Sequence, residues 1–162
     1  AYTFYTDKGT LNALLGMIGI NRISWLFSYP LLTVVLANIW HGTAFSMMVY
    51  QSALDNVSGD VEESAKIDGA GRLQNLFYIT IPIIKDTILT NTMLITLSTL
   101  GTFGMVYSMT GTTVQTLPIF MYIRAFKNYE LGYGTAISML ILLIGVIFSL
   151  FYIRLQKKQM GD

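Results

Sequence analysis

The chain has no cysteine and only one histidine among 162 residues, and just 12% of its side chains are charged. Without cysteine there are no disulfides, no thiolate nucleophile and no sulfur-ligated metal. The lone His41 offers no second ring to build a catalytic or metal-binding set, and is expected to be an interior hydrogen-bonding residue. The ten basic residues form neither a run nor a stripe, and the net charge is +1, so nucleic acid is not an expected partner. A glycine-rich phosphate loop ending in Gly-Lys-Ser/Thr is also missing, so the chain is not expected to hydrolyse nucleotide itself or to need a cofactor.

What is present is apolar: 53% of residues are hydrophobic. Charge-free stretches run over Ile23–Leu54, Thr87–Ile123 and Leu131–Ile153, each long enough for the roughly 20 residues that cross a hydrocarbon core. The pattern predicts an all-α membrane protein with three spans at about 31–53, 83–107 and 132–153. Residues 1–30 are expected to be an external interfacial segment, because the apolar run Leu11–Gly19 is too short to span and Asn21, Arg22 and Pro30 interrupt it. Residues 31–158 form the transmembrane core and 159–162 a cytoplasmic tail. The start at Ala1, without a basic region and a cleavable apolar segment, is read as the start of a fragment.

Between the first two spans the character changes. Asp60, Glu62, Glu63, Lys66, Asp68, Arg72, Lys85 and Asp86 cannot sit in lipid, so 59–82 is an extramembrane loop. Asp60 and Glu63 have the spacing of a capping box, which predicts a short helix from about Val61. Gly69 and Gly71 would end it, since glycine accepts the left-handed conformation without a Cβ penalty. Ile67, Leu73 and Phe77 are expected to anchor the loop against the span ends, and Pro82 to open the second span. Lys66, Arg72, Lys85, Arg154, Lys157 and Lys158 fall on one side of the membrane and Lys8, Arg22, Arg124 and Lys127 on the other, which places the loop in the cytoplasm.

The segment Glu63-Ser64-Ala65-Lys66-Ile67-Asp68-Gly69-Ala70, followed by Ile79-Thr80-Ile81-Pro82, resembles the EAA loop of ABC importer permeases. That pattern is Glu-Ala-Ala, three residues, Gly, nine residues, Ile-x-Leu-Pro, and every spacing is matched. Ser64 and Ile81 are mild departures, and Asp86 stands where such permeases often have a proline. Trp40-His41-Gly42, Gly111-Thr112-Thr113, Leu117-Pro118, Tyr122-Ile123, Phe126 and Gly132-Tyr133-Gly134 extend the resemblance toward carbohydrate permeases of the maltose and glycerol-phosphate type, and to the first of their paired subunits. The resemblance implies the C-terminal part of a type I importer permease (MetI-like) helical bundle. It also implies a second permease subunit, two ATP-binding subunits, an extracytoplasmic solute-binding protein and a sugar-like substrate. The ATPase-coupling residues would be Glu63, Ser64, Ala65, Asp68, Gly69, Ala70 and Pro82.

Polar residues inside spans suggest where a solute passes. Ser98 and Thr102 share a helical face with Thr99 beside them, while Gly42 and Phe45 pair a close-approach point with an aromatic surface. These five are the candidate path. The other reading is that the hydroxyls bond their own backbone and the glycines allow helix contact. A secondary-transporter fragment is the main rival function, and it predicts carboxylates or basic groups for ion coupling deep in the spans, where this sequence has no charged side chain. A membrane enzyme lacks a convergent catalytic set, and a scaffold leaves the loop spacing unexplained.

Overall fold

The computed structural model describes residues 9–19, 21–67 and 69–160, which form helices and their connections with no strand among those residues. In order they are α1 Thr10–Met17, α2 Trp25–Ser28, α3 Pro30–Asp55, α4 Gly59–Ile67, α5 Arg72–Asn75, α6 Ile81–Ile83, α7 Lys85–Leu100, α8 Gly104–Thr110, α9 Leu117–Tyr122 and α10 Leu131–Met160. Wide π-helical turns at Leu76–Thr80 and Ile123–Lys127 follow α5 and α9. The first eight residues and 161–162 lie outside the described residues, and with them Lys8 and the end of the expected tail.

Two helices are long and apolar enough to cross a membrane, Pro30–Asp55 and the Leu131–Lys157 part of α10. They cover the residues of the expected first and third spans and run slightly beyond them. The second differs from expectation: α7 and α8 count as a span only together, as a bent pair broken between Leu100 and Gly104. At the break the Thr102 hydroxyl donates to the Ser98 carbonyl at 2.8 Å, and the Thr102 N–H reaches back only three residues, to Thr99 at 3.2 Å. A tightened turn of this kind, with Gly101 lacking a Cβ, ends regular α-helix without exposing its last carbonyls.

Pro82 also departs from expectation. It sits in a helical run that begins at Arg72, and α7 starts three residues later, at Lys85. Proline removes a donor and crowds the carbonyl four residues earlier. The π-helical turn before it, where the Ile81 N–H bonds the Leu76 carbonyl, widens the backbone enough to carry the ring.

By internal contacts the chain forms two units. The first comprises Ala1–His41 and Ser98–Val146. Its core is Val34, Val106, Val114 and Ile119, with Phe103 and Ile123 packed on it. Buried Asn12 ties the amino-terminal segment down: its amide donates to the Ile23 carbonyl at 2.8 Å, while its oxygen accepts from the Ile23 N–H at 3.2 Å and the Trp25 indole at 3.0 Å. Nearby, Gly134 packs so closely on Ala125 that an added Cβ would meet the alanine methyl at 2.5 Å.

The second unit comprises Gly42–Leu97 and Ile147–Asp162. Polar side chains tie its helices. The amide of Asn91, 1% exposed, donates to Ser46 at 3.0 Å, and Ser46 donates on to the Gly42 carbonyl at 2.9 Å. Thr96 and the Tyr152 hydroxyl are 3.3 Å apart, and the Gln156 amide donates to Thr90 at 3.4 Å. Such bonds keep polar groups paired where lipid offers no alternative.

Gly134→Ala should lower the thermal stability of the purified protein by an overpacking cost of about 1–3 kcal/mol. Combining it with Ala125→Gly should restore only part of the loss, because the backbone Cα and N of residue 125 stay 3.1 and 3.3 Å from the added methyl. Thermal unfolding of the wild type, the single variant and the pair measures both.

Candidate functional site

The loop between the first two spans is built from α4, a glycine turn and the run α5–α6. Helix α4 starts at Gly59, two residues before the expected Val61, because the Ser58 carbonyl already accepts the Val61 N–H at 3.1 Å. Asp60 therefore stands in the first turn, not at the cap, and exposed Glu63 lies a full turn inside the helix, where it caps nothing. The capping-box expectation is corrected accordingly, leaving the Glu63 carboxylate directed to solvent.

The end of α4 follows the expectation closely. Gly69 has φ +78°, and the Ala70 N–H bonds the Ala65 carbonyl at 2.9 Å. That six-residue closure around a left-handed glycine is a Schellman motif, which satisfies a carbonyl the helix would otherwise leave free. An added Cβ at Gly69 would meet nothing within 4 Å, so glycine is required there by backbone conformation, not by space. Asp68 lies outside the described residues. Ala65 is buried, Ser64 and Gly69 are exposed, Ala70 is half-buried and Pro82 is exposed. Gly71 starts α5, its N–H accepted by the Gln74 side chain at 2.9 Å.

The three expected anchors are not buried. Ile67, Leu73 and Phe77 are 85%, 71% and 60% exposed. The Ala70–Ala65 and Gly71–Gln74 bonds turn the loop's backbone, and Leu76 and Tyr78 beside these side chains are exposed as well, at 42% and 80%. Exposed apolar groups concentrated on a short polar loop are a contact surface in waiting.

The candidate path residues fall in both units and are placed separately. In the second unit, Gly42 faces α7, with Ile95 Cδ1 3.9 Å from where a Cβ would stand, and Phe45 is exposed one turn further along α3. In the first, Ser98 and Thr99 are exposed and half-buried Thr102 spends its hydroxyl proton on Ser98. The Thr102 oxygen keeps its capacity to accept a hydrogen bond.

Three rings gather just past the break. Phe103, Tyr107 and Tyr122 lie with all centroids 5.2 Å apart, Phe103 stacked on Tyr107 and Tyr122 edge-on to it. Interaction with the neighbouring Tyr107 phenol, with a smaller part from burial, raises the Tyr122 pKa above the usual 10.0. Such a wall offers flat apolar faces beside phenol hydroxyls. Only the four-residue spacing of Phe103 and Tyr107 hints at it in the sequence, and nothing there points to Tyr122. Among the described residues no group of three or more His, Cys, Asp or Glu side chains is placed to hold a metal ion.

Residues 10–160 match the family described as binding-protein-dependent transport system inner membrane component. Among curated relatives, the sulfoquinovosyl glycerol transport system permease protein of Agrobacterium fabrum is 27% identical over 161 residues, covering 96% of this chain and 52% of the relative. The xylose/arabinose import permease protein of Haloferax volcanii is 31% identical over 169 residues, covering 99% and 53%. The lactose transport system permease protein of Rhizobium radiobacter is 31% identical over 169 residues, covering 96% and 57%. The chain thus spans about half the length of the curated relatives it matches.

Gly69→Ala should destabilise the loop turn by about 1–2 kcal/mol, the usual penalty for a left-handed alanine. Its direct readout is hydrogen exchange at the Ala70 amide, expected to accelerate about tenfold, at 1.4 kcal/mol per factor of ten, while amides in α10 are unaffected.

Proposed function

The chain belongs to the binding-protein-dependent transport system inner membrane component family, and from that premise we propose that it is part of the permease subunit of an ABC importer carrying a sugar, oligosaccharide or polyol derivative. In this reading it performs no covalent chemistry. Two ATP-binding subunits hydrolyse ATP, a second permease subunit completes the pathway and an extracytoplasmic solute-binding protein delivers the solute. The sugar class is carried over from relatives named for sulfoquinovosyl glycerol, xylose/arabinose and lactose transport.

The observation that carries the reading is the 59–82 loop. A short helix closed by a left-handed Gly69 holds Ile67 outward, and the adjoining run holds Leu73 and Phe77 outward. A rigid, small element with exposed apolar side chains fits a groove on an ATPase surface, and its fixed distance to α7 would pass movement of that ATPase into the spans. Glu63, Ser64, Ala65, Asp68, Gly69, Ala70 and Pro82 are the proposed coupling set, with the loop on the cytoplasmic side.

For the path we propose Gly42, Phe45, Ser98, Thr99 and Thr102, with the Phe103–Tyr107–Tyr122 wall added. Support for this comes from the break in the second span, since discontinuous helices are where transporters build midplane sites. Charged side chains fall only near the span ends, which leaves a secondary transporter no charged group deep in the spans for ion coupling.

Uptake of a panel of labelled sugars by vesicles carrying the full set of subunits tests the reading. At least one sugar should accumulate only when ATP is present inside. Ile67→Asp with Leu73→Asp should weaken ATPase docking by about thirtyfold, the loss of about 2 kcal/mol expected for central apolar anchors, and solute-stimulated hydrolysis should fall with it. Sugar uptake that persists without ATP would point to secondary transport instead.

A further inference from the structure

Tyr129 holds φ at +59°, a left-handed backbone that disfavours any residue with a Cβ. No other non-glycine residue among those described does so. Its side chain is nevertheless 86% exposed. Backbone strain persists only where the surroundings over-determine it, and here they do. The π-helical turn Ile123–Lys127 is closed by the Asn128 N–H on the Ile123 carbonyl at 3.0 Å and by the Glu130 N–H on the Arg124 carbonyl at 2.9 Å.

Side chains lock the same corner. Arg124 pairs with Glu130 at 3.1 Å, and its guanidinium carbon lies 5.1 Å from the Phe120 ring centre and 5.0 Å from that of Tyr133. Gly134 against Ala125 fixes where α10 leaves the turn. The corner is therefore rigid, and what it holds outward is apolar: Phe126, Tyr129, Leu131 and Tyr133, all more than half exposed, with exposed Lys127 among them.

The length of α10 identifies the surroundings. Its apolar part, Leu131–Lys157, has 27 residues, and nearly all of its most apolar stretch is unburied. At 1.5 Å per residue that is about 40 Å, against a hydrocarbon core of about 30 Å and a whole bilayer of about 40–45 Å. With Arg154 and Lys157 in one headgroup layer, Leu131 lies in the other. Aromatic rings with a polar tip, next to a cation that reaches phosphate, suit that layer.

We propose that the 126–133 corner is a lipid-interface anchor, with Tyr129 at the boundary of headgroups and acyl chains and Lys127 at the lipid phosphates. The strained residue sets the depth of α10 in the bilayer. A protein surface such as a solute-binding protein is the other conceivable occupant, but it gives no reason for the match between helix length and bilayer thickness.

The chain's lack of cysteine makes the test direct. Tyr129→Cys and, separately, Phe126→Cys are spin-labelled in the assembled transporter with cysteine-free partner subunits, in vesicles of phosphatidylethanolamine and phosphatidylglycerol. Power saturation then compares collisions with oxygen and with a water-soluble nickel chelate. Both labels should report a depth about 5–10 Å below the headgroup surface, unchanged when the solute-binding protein is added. Labels that collide freely with the chelate, or that become shielded only on adding the solute-binding protein, would overturn the proposal. The inference is independent of which solute is carried.

Discussion

Lipid supplies no hydrogen bonds, so every peptide group inside the hydrocarbon must be satisfied by the chain itself. The long uninterrupted helices α3 and α10 are the direct consequence. The same requirement governs the polar side chains of these helices and of the bent α7–α8 pair. Thr33, Ser46, Thr92, Thr96, Thr102, Thr110 and Ser138 each donate to the carbonyl four residues back, at 2.7 to 3.0 Å. A hydroxyl used in this way costs little in lipid and keeps an oxygen that can accept. A path lined by such groups would present acceptors, which suits solutes rich in hydroxyl donors.

Where the helices are not regular, a local device replaces the missing bonds. Thr102 closes the break after α7, and the turn at Leu76–Thr80 makes room for Pro82. The Ala70–Ala65 bond seals α4, and the Ile123–Lys127 turn is capped by Asn128 and Glu130. These four places are also where the proposed functions sit: the coupling loop, the solute path and the lipid anchor. Departure from regular helix is costly in this setting, so it is confined to points where a backbone or hydroxyl partner is at hand.

Much of this was legible in the sequence. A single helix, Pro30–Asp55, covers the first span expected at 31–53, and Gly69 has the left-handed turn that its position suggested. Both signals are strong because they are local: a charge-free run long enough to span, and a glycine at the end of a short helix. The break in the second span was not legible, because Gly101 and Thr102 are compatible with an unbroken membrane helix and only three-dimensional context ends it. Ile67, Leu73 and Phe77 were expected to be buried because they are apolar, but apolar character alone does not say whether the covering partner belongs to the same chain. Tyr129 carried no signal at all, since a left-handed tyrosine is imposed by Arg124, Glu130 and the capped turn around it.

In the proposed mode of coupling, the loop from Gly59 to Pro82 docks on an ATP-binding subunit. The most direct measurement of that docking is the labelling rate of Glu63→Cys, exposed on α4 and the sole cysteine of the chain, by a membrane-impermeant maleimide applied from the cytoplasmic side. Docking should give rapid labelling in permease complexes without the ATPase and strong protection once the ATPase is bound. Equal labelling with and without the ATPase would contradict it.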